Sequence, residues 1–363
     1  MKLKKVVFSL AVIFLASCAN EQGSYSKLDL EAKYTKSRSI SHFNDYVNFL
    51  KQKAAGAGVS AKTLNEQKLI NYNARAVQLD QQQAPRKRDP NLPPPPPNPN
   101  GVTNYLNKVL TQAKVDQAAE RWYEYSAELT RASHKYGVQK EYILALWGME
   151  SSFGRNQGDF DVLSVLATLA FDGRREKLFT KEFVNAMKML DDGTIKRYEL
   201  LGSWAGAMGQ TQFMPTSYLT YAADGDSDGK KDIWNNEADA FASIANYLST
   251  VGWDKNLPWG VEVKLDSPMD LSFAGIELNK AKTVAQWQAL GVYLAYPNGQ
   301  ETTKLAQLNG QKVWLIRPDK EAGRAFLVSN NFRTLMDWNS SNNFGISIGK
   351  FADRILSAVG QSI

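Results

Sequence analysis

The sequence predicts an α+β protein, predominantly α, with one small β-containing insertion. Three observations predict it. Apolar residues recur at helical spacing in residues 43–57 and 103–136 and in the run before Glu150. Short alternating runs take over only between 257 and about 328. Helical spacing then returns from 329 to 363. With 363 residues, 43% of them hydrophobic, the chain can hold two or three ordinary domains and a sizeable core.

Residues 1–17 have the form of a secretory signal. "MKLKK" is basic, and "VVFSLAVIFLAS" is apolar but short for a membrane span. The segment ends at Cys18, the single cysteine of the chain. "LASC" matches a bacterial lipobox, in which Cys18 becomes the lipidated first residue; an ordinary cleaved signal or a short anchor is the plainer alternative. One thiol in a secreted chain leaves no disulfide framework to explain it. Three of the 43 basic residues fall in this leader and none of the 37 acidic ones, so the formal charge of +6 drops to +3 once it is removed. That is too weak to argue for a nucleic-acid partner, and it does not oppose an anionic polymer as substrate.

Residues 18–40 are polar and aperiodic, a tether. The N-terminal helical region follows, 41–137. In "FNDYVNFLKQKAAGAG" Phe43, Tyr46, Val47 and Leu50 share one helical face, and "VSAKTLNEQKLI" reads as a second, short helix. Residues 84–101, "APRKRDPNLPPPPPNPNG", favour extended polyproline geometry, as a spacer or a docking motif. Residues 103–136 are helical again, with Trp122, Tyr125 and Leu129 on one stripe.

Most of the chemistry falls in residues 138–256. "YGVQKEYILALWGMESSFG" aims Glu150 along an apolar stripe of Ile143, Leu146 and Trp147, and Gly154 reads as the helix stop. An apolar wall disfavours a carboxylate, which suits a proton donor working near neutral pH. A buried glutamate satisfied by an arginine or an amide would give the same pattern. "GSWAGAMGQTQFMPTSY", residues 202–218, sets Ser203, Gln212 and Phe213 among small residues that let a bulky ligand approach the backbone. A tight helix–helix contact would also use small residues, though it needs neither Ser203 nor Gln212. "DGDSDGKKDIWN" puts Asp224, Asp226 and Asp228 at positions 1, 3 and 5 of an EF-hand-like loop. Gly229 falls at 6, the Lys230 carbonyl at 7 and Asp232 at 9, but position 12 is Asn235, not the usual glutamate. A solvated acidic turn is the alternative to a calcium site. Between 257 and 328, "VEVKL", "GVYLAYP", "KVWLIRP" and "AFLVS" read as strands, and 329–363 as a helical segment.

Taken in order, "GMESSFG", "LATLAF" with "RR" behind it, "GSWAGAMGQTQFMPTSY", "DGDSDGKKDIW", "DAFASIANYLSTVGW" and "NNF…DWNSSNNFG" resemble the membrane-bound lytic murein transglycosylase B family. The resemblance covers about residues 41–357. It implies a lysozyme-like catalytic core at 138–256, flanked by the helical region and the β-containing insertion, with 329–363 returning to the substrate groove.

The resemblance also implies roles. Glu150 matches the family's catalytic glutamate, and Ser203 a serine beside it. Gln212 and Phe213 match sugar-contacting groove residues, and Arg174 and Arg175 a basic pair near the substrate's peptide and lactyl groups. Tyr247 matches a catalytic-site tyrosine. Many relatives carry Tyr-Asn and another aromatic five residues on; this chain has Trp338, Asn339 and Phe344, which keep aromatic rings but lack the phenol. Relatives with a cation in the acidic loop use a further acid, matched by Asp239.

The implied reaction cleaves the MurNAc–GlcNAc β-1,4 bond with a single carboxylate. Glu150 acts as acid and then as base, and the sugar's own C6 hydroxyl closes a 1,6-anhydro ring. No cofactor is required, and Ca²⁺ is a possible structural ion. The partners are peptidoglycan glycan strands and, through Cys18, the outer membrane; no protein partner is indicated. Ala19 follows Cys18 where an inner-membrane retention signal would put Asp, so the expected location is the periplasmic face of the outer membrane. A lysozyme-type muramidase using water and a non-catalytic peptidoglycan-binding scaffold are the alternatives.

Overall fold

The computed structural model describes residues 38–83 and 98–360. The leader, Cys18, most of the tether and residues 84–97 of the proline-rich spacer lie outside the described residues. In chain order the helices are α1 (Phe43–Gly56), α2 (Ala61–Glu66), α3 (Ala74–Gln83), α4 (Gly101–Val109), α5 (Gln112–Glu124), α6 (Ser126–Tyr136), α7 (Lys140–Ser151), α8 (Val162–Asp172), α9 (Glu176–Asp191), α10 (Pro215–Tyr221), α11 (Glu237–Thr250), α12 (Val284–Ala289), α13 (Gly299–Gln307), α14 (Asn330–Trp338) and α15 (Asn342–Gly360). The strands are β1 (Phe160–Asp161), β2 (Leu201–Gly202), β3 (Gly260–Leu265), β4 (Lys282–Thr283), β5 (Val292–Leu294), β6 (Lys312–Ile316) and β7 (Ala325–Val328). Among the described residues no helix is long and apolar enough to cross a membrane. Packing divides them into two compact units, 38–83 with 150–240, and 98–149 with 241–360.

The first unit is helical around a two-stranded antiparallel sheet of β1 and β2, which α8 and α9 separate in the chain. The face expected on α1 is the one it buries: Phe43, Tyr46, Val47, Leu50 and Ala54. Phe43 meets Phe171 of α8 edge-on at 5.4 Å, and Tyr46 donates to Glu176 of α9 at 2.7 Å. α2 is shorter than its sequence suggests. Ser60 caps its first turn, and the chain leaves the helix after Glu66.

In the second unit the five-stranded sheet runs β4-β6-β7-β3-β5, every pair antiparallel. Alternation sorts its residues as expected. Val261, Val263, Leu315 and Leu327 pack with Trp287 of α12 in one core. The opposite face is buried too, by Trp314, Ile316, Phe326 and Val328, and sets one charge among them. Glu262 of β3, 5% exposed, accepts from Arg324 Nε and Nη2, each at 2.6 Å, and pairs with Lys350 of α15 at 3.0 Å. Lys304 of α13 bridges Glu301 and Asp353, each at 2.8 Å, and Trp259 Nε1 donates to Asp353 at 3.1 Å. This buried ionic cluster ties the sheet region to the last helix.

The sequence is corrected at α7. A helix with a single apolar stripe was expected; the helix is buried on every face from Tyr142 to Glu150. Leu144 and Ala145, off the proposed stripe, are as buried as Ile143, Leu146 and Trp147. A helix apolar all round is a core helix. Nor does Gly154 stop it. α7 ends at Ser151, and Ser152, Phe153 and Gly154 are all left-handed, with φ of 52°, 59° and 78°.

Candidate active site

Glu150 is 9% exposed and occupies the last turn of α7, directly before that left-handed turn. Ser151 holds the turn closed. Its Oγ accepts from the Gly154 amide at 2.9 Å, and its carbonyl accepts from the Asn156 amide at 2.8 Å. Left-handed backbone at Ser152 and Phe153 is costly without glycine, and it persists only where the surroundings fix it.

The 202–216 segment is a stack of short bridges. Met208 pairs antiparallel with both Gly202 and Phe213, and the Ser203 amide donates to Ala207 at 2.7 Å. Ser203 Oγ accepts from the amides of Ala205 (3.3 Å) and Ala207 (3.0 Å), which leaves its proton to donate elsewhere. Gln212 is left-handed, φ 51°, and its Nε2 donates to the carbonyls of Gln157 and Gly209, both at 3.0 Å. Phe213 is buried. Some of the small residues serve the backbone and not a ligand: a Cβ on Gly202 would lie 2.3 Å from the Ala207 carbonyl. The exit is clamped by Glu182 of α9, which accepts from Thr216 N (2.8 Å) and Oγ1 (2.9 Å). Burial pushes the Glu182 carboxyl up, and the Thr216 donors oppose that.

Arg174 and Arg175 share a partner that the sequence reading missed. Asp80 of α3, 1% exposed, pairs with both guanidiniums; Arg174 Nε donates at 2.5 Å and Arg175 Nη2 at 2.5 Å. Arg175 Nε is buried without a hydrogen-bond partner among the described residues. No local signal marks Asp80, because it lies more than ninety residues upstream.

In the acidic loop, carboxylate oxygens of Asp224, Asp226 and Asp239 lie within 4.8 Å of one another. Asp239 is fully buried, and its oxygens accept from the amides of Gly225 (2.7 Å) and Asp232 (2.6 Å). Burial pushes its carboxyl up to about 6, against the pull of those amides and with help from the charges on Asp226 and Asp224. The amides of Gly229 and Ser227 donate to Asp224; the Gly229 bond leads in holding its carboxyl low. Asp228 stays outside this group and accepts from the exposed Lys230 amide at 2.8 Å. Asp232 accepts from the amides of Trp234 and Asn235. Three converging carboxylates, one of them buried, are a donor set of the hard oxygen type that suits Ca²⁺.

The remaining candidates sit in the second unit. Tyr247 of α11 is half-buried and meets Trp338 edge-on, centroids 4.7 Å apart. Trp338 and Phe344 are packed into the core, so neither presents an open ring face. Asn339 is 3% exposed, and its Oδ1 has no hydrogen-bond partner among the described residues. A buried acceptor left open is a place for water or a ligand hydroxyl.

Comparison with known proteins gives concordant results. The model of the transglycosylase SLT domain matches residues 42–353. The membrane-bound lytic murein transglycosylase B of Escherichia coli K12 is 33% identical over 270 residues, 73% of this chain and 70% of that protein. SltB3 from Pseudomonas aeruginosa, solved in complex with NAG-anhNAM-pentapeptide, superposes with a TM-score of 0.74 at 34% identity, over 86% of this chain and 79% of that one. Escherichia coli Slt35, solved in complex with calcium, gives 0.69 at 25% identity, over 89% and 95%.

Proposed function

The chain belongs to the transglycosylase SLT domain family and is a lytic transglycosylase acting on peptidoglycan, and from that premise we propose that Glu150 alone carries both proton transfers. As an acid it protonates the glycosidic oxygen between MurNAc C1 and GlcNAc O4. The C1–O4 bond breaks and C1 becomes oxocarbenium-like. As a carboxylate it then takes the proton of the C6 hydroxyl, O6 bonds to C1, and Glu150 ends protonated as it began. No water is consumed and no second protein carboxylate is needed, unlike the two-carboxylate glycosidases. The observation that carries this reading is Glu150 itself, buried in the last turn of a core helix and followed by a left-handed turn at two non-glycine residues. The anhydro-sugar ligand held by the Pseudomonas relative supports the ring-closing outcome.

In this reading Ser203 orients the carboxylate and Gln212 contacts the sugars; Tyr247 and Asn339 of the second unit are proposed sugar contacts too, and the buried rings of Phe213 and Trp338 serve as packing and not as open contacts. Arg174 and Arg175, pre-aligned by Asp80, take the anionic stem or lactyl group. Asp224, Asp226 and Asp239 hold a structural Ca²⁺, with the Asp228 side chain and the Lys230 carbonyl completing the loop. The binding of calcium by Slt35 supports this, as does the fit of the donor set. Cys18 anchors the chain by lipid to the periplasmic face of the outer membrane, in keeping with the membrane-bound name of the Escherichia coli relative. The partition into leader (1–17), tether (18–40), helical region (41–137), catalytic core (138–256), β-containing region (257–328) and C-terminal segment (329–363) is part of the same proposal.

Mass spectrometry of products from purified sacculi tests it. Wild-type protein should leave 1,6-anhydromuramoyl ends. Glu150→Gln should fold and bind strands but lose turnover by about 10⁴ or more, since a single acid–base group is typically worth about 10²–10⁴ and this one serves twice. Ser203→Ala should be milder. Mostly reducing ends would identify a muramidase, and near-wild-type turnover by Glu150→Gln would remove the mechanism.

A further inference from the structure

No motif picks out Gln157, yet three segments of the candidate site meet on it. Its Nε2 donates to the Gly154 carbonyl at 3.0 Å and to the Trp234 carbonyl at 2.9 Å. Its own carbonyl accepts from Gln212 Nε2 at 3.0 Å. Gln210 reinforces the junction. Its side chain reaches the same Trp234 carbonyl at 3.4 Å, and its amide donates to Ile233 at 2.8 Å. The three segments are the turn after Glu150, the bridged segment carrying Ser203 and Gln212, and the chain leaving the acidic loop.

The turn is the element that needs holding. Ser152, Phe153 and Gly154 are left-handed in succession, and the first two gain nothing from that conformation intrinsically. Ser151 fixes the amide side of the turn, at Gly154 N. The Gly154 carbonyl is fixed by Gln157. An NH₂ group has two protons, and both are spent here on carbonyls belonging to different segments. If the turn relaxed toward right-handed backbone, the last turn of the helix carrying Glu150 would move with it.

We propose that Gln157 is a positioning residue for the transglycosylase reaction: its carboxamide locks the left-handed turn after Glu150 to Trp234, while its carbonyl holds Gln212, so that the acid and a sugar-holding amide are set as one rigid piece. This rests on the roles assigned above to Glu150 and Gln212.

The test compares Gln157→Ala, Gln157→Lys and Gln157→Glu in the full chain, with kcat and KM measured on purified glycan strands. Misplacement of a catalytic group by about 1 Å can cost about 10²-fold. Gln157→Ala should therefore lose kcat by about tenfold or more. KM should hold, because the main-chain bond from Gln212 survives every substitution. An ammonium can donate to both carbonyls, so Gln157→Lys should recover much of kcat; a carboxylate facing two carbonyl oxygens should push Gln157→Glu below Gln157→Ala. Hydrogen exchange at the amides of 154–156 should quicken in Gln157→Ala while the amides of α8 keep their protection. The proposal is overturned if Gln157→Ala keeps wild-type kcat. It is equally overturned if all three variants lose kcat, KM and thermal stability together without that order. Glu150→Gln, assayed beside them, should lose turnover whatever Gln157 does; if it does not, the reading of Glu150 falls and this proposal falls with it.

Discussion

Replacing Lys304 with Met tests how much the buried ionic cluster contributes to the second unit. Met keeps most of the apolar stem and removes the ammonium. The structure sets the size of the effect. The Lys304 side chain is 9% exposed, and its partners Glu301 and Asp353 are 9% and 12% exposed, so both carboxylates lose their shared cation in a nearly dry site. Breaking a buried pair by removing one partner costs about 3–5 kcal/mol. The Asp353 carboxylate still accepts from Trp259 and still feels Lys350, which points to the lower end, about 3 kcal/mol. For a unit of this size each kcal/mol moves Tm by about 2–4 °C, so Tm should fall by roughly 6–12 °C. The pH dependence adds a second constraint. Burial raises the Asp353 carboxyl, and Lys304 leads the charges that oppose it. A raised carboxyl binds protons more readily in the folded chain than in the unfolded one. Stability then falls as pH climbs from the unfolded value toward the folded one. Without Lys304 the carboxyl rises further, so the deficit of the variant should be full near neutral pH and shrink in acid. Calorimetry of both proteins at about pH 8 and about pH 5 measures this. A Tm within about 2 °C of wild type at the higher pH, or a deficit that grows in acid, refutes the reasoning. Adding Asp353→Leu to Lys304→Met should restore part of the loss, because an apolar pair of similar volume replaces a stranded charge.

Two further outcomes are expected. Calcium added to metal-free protein should raise Tm by linkage to the folded state, and Asp239→Asn should abolish the rise; identical melting curves with calcium and with chelator would count against the loop as a cation site. Cys18→Ala should release a soluble periplasmic form, and if that variant still fractionates with outer membrane, lipidation is not what holds the protein there.

The sequence made some of this legible and hid the rest for physical reasons. Strand β3 is readable from the alternation in "VEVKL", whereas β6 and β7 are readable as short apolar runs rich in Val, Ile, Trp and Phe, because both of their faces are buried. Helix α1 was readable because its five buried residues fall on one face. The short pieces β1, β2 and β4 have two residues each, too few for a period to show. At α7 the continuous run "YILALWGM" announces a helix without a solvent face, and a stripe of three residues understates its burial. Its ending could not have been read, since Ser152 and Phe153 do not advertise left-handed backbone. Residue type also failed to separate a groove wall from core. Phe213, Trp338 and Phe344 are all buried, which is the ordinary fate of large rings.

The deeper loss concerns polar partners. Asp80 and the Arg174–Arg175 pair come together only through the tertiary fold, and so do Glu262 with Arg324 and Lys304 with Asp353. A sequence motif names the group that does chemistry, because that group's type is constrained by the reaction. The residue that holds it is constrained only by geometry, and several types can supply a donor at a given point. Gln157 illustrates this: its Nε2 donates to two carbonyls, and nothing in the local sequence encodes where those carbonyls will be. A candidate catalyst can therefore be named from a chain of this family, while the contacts that would hold it emerge only in the folded structure.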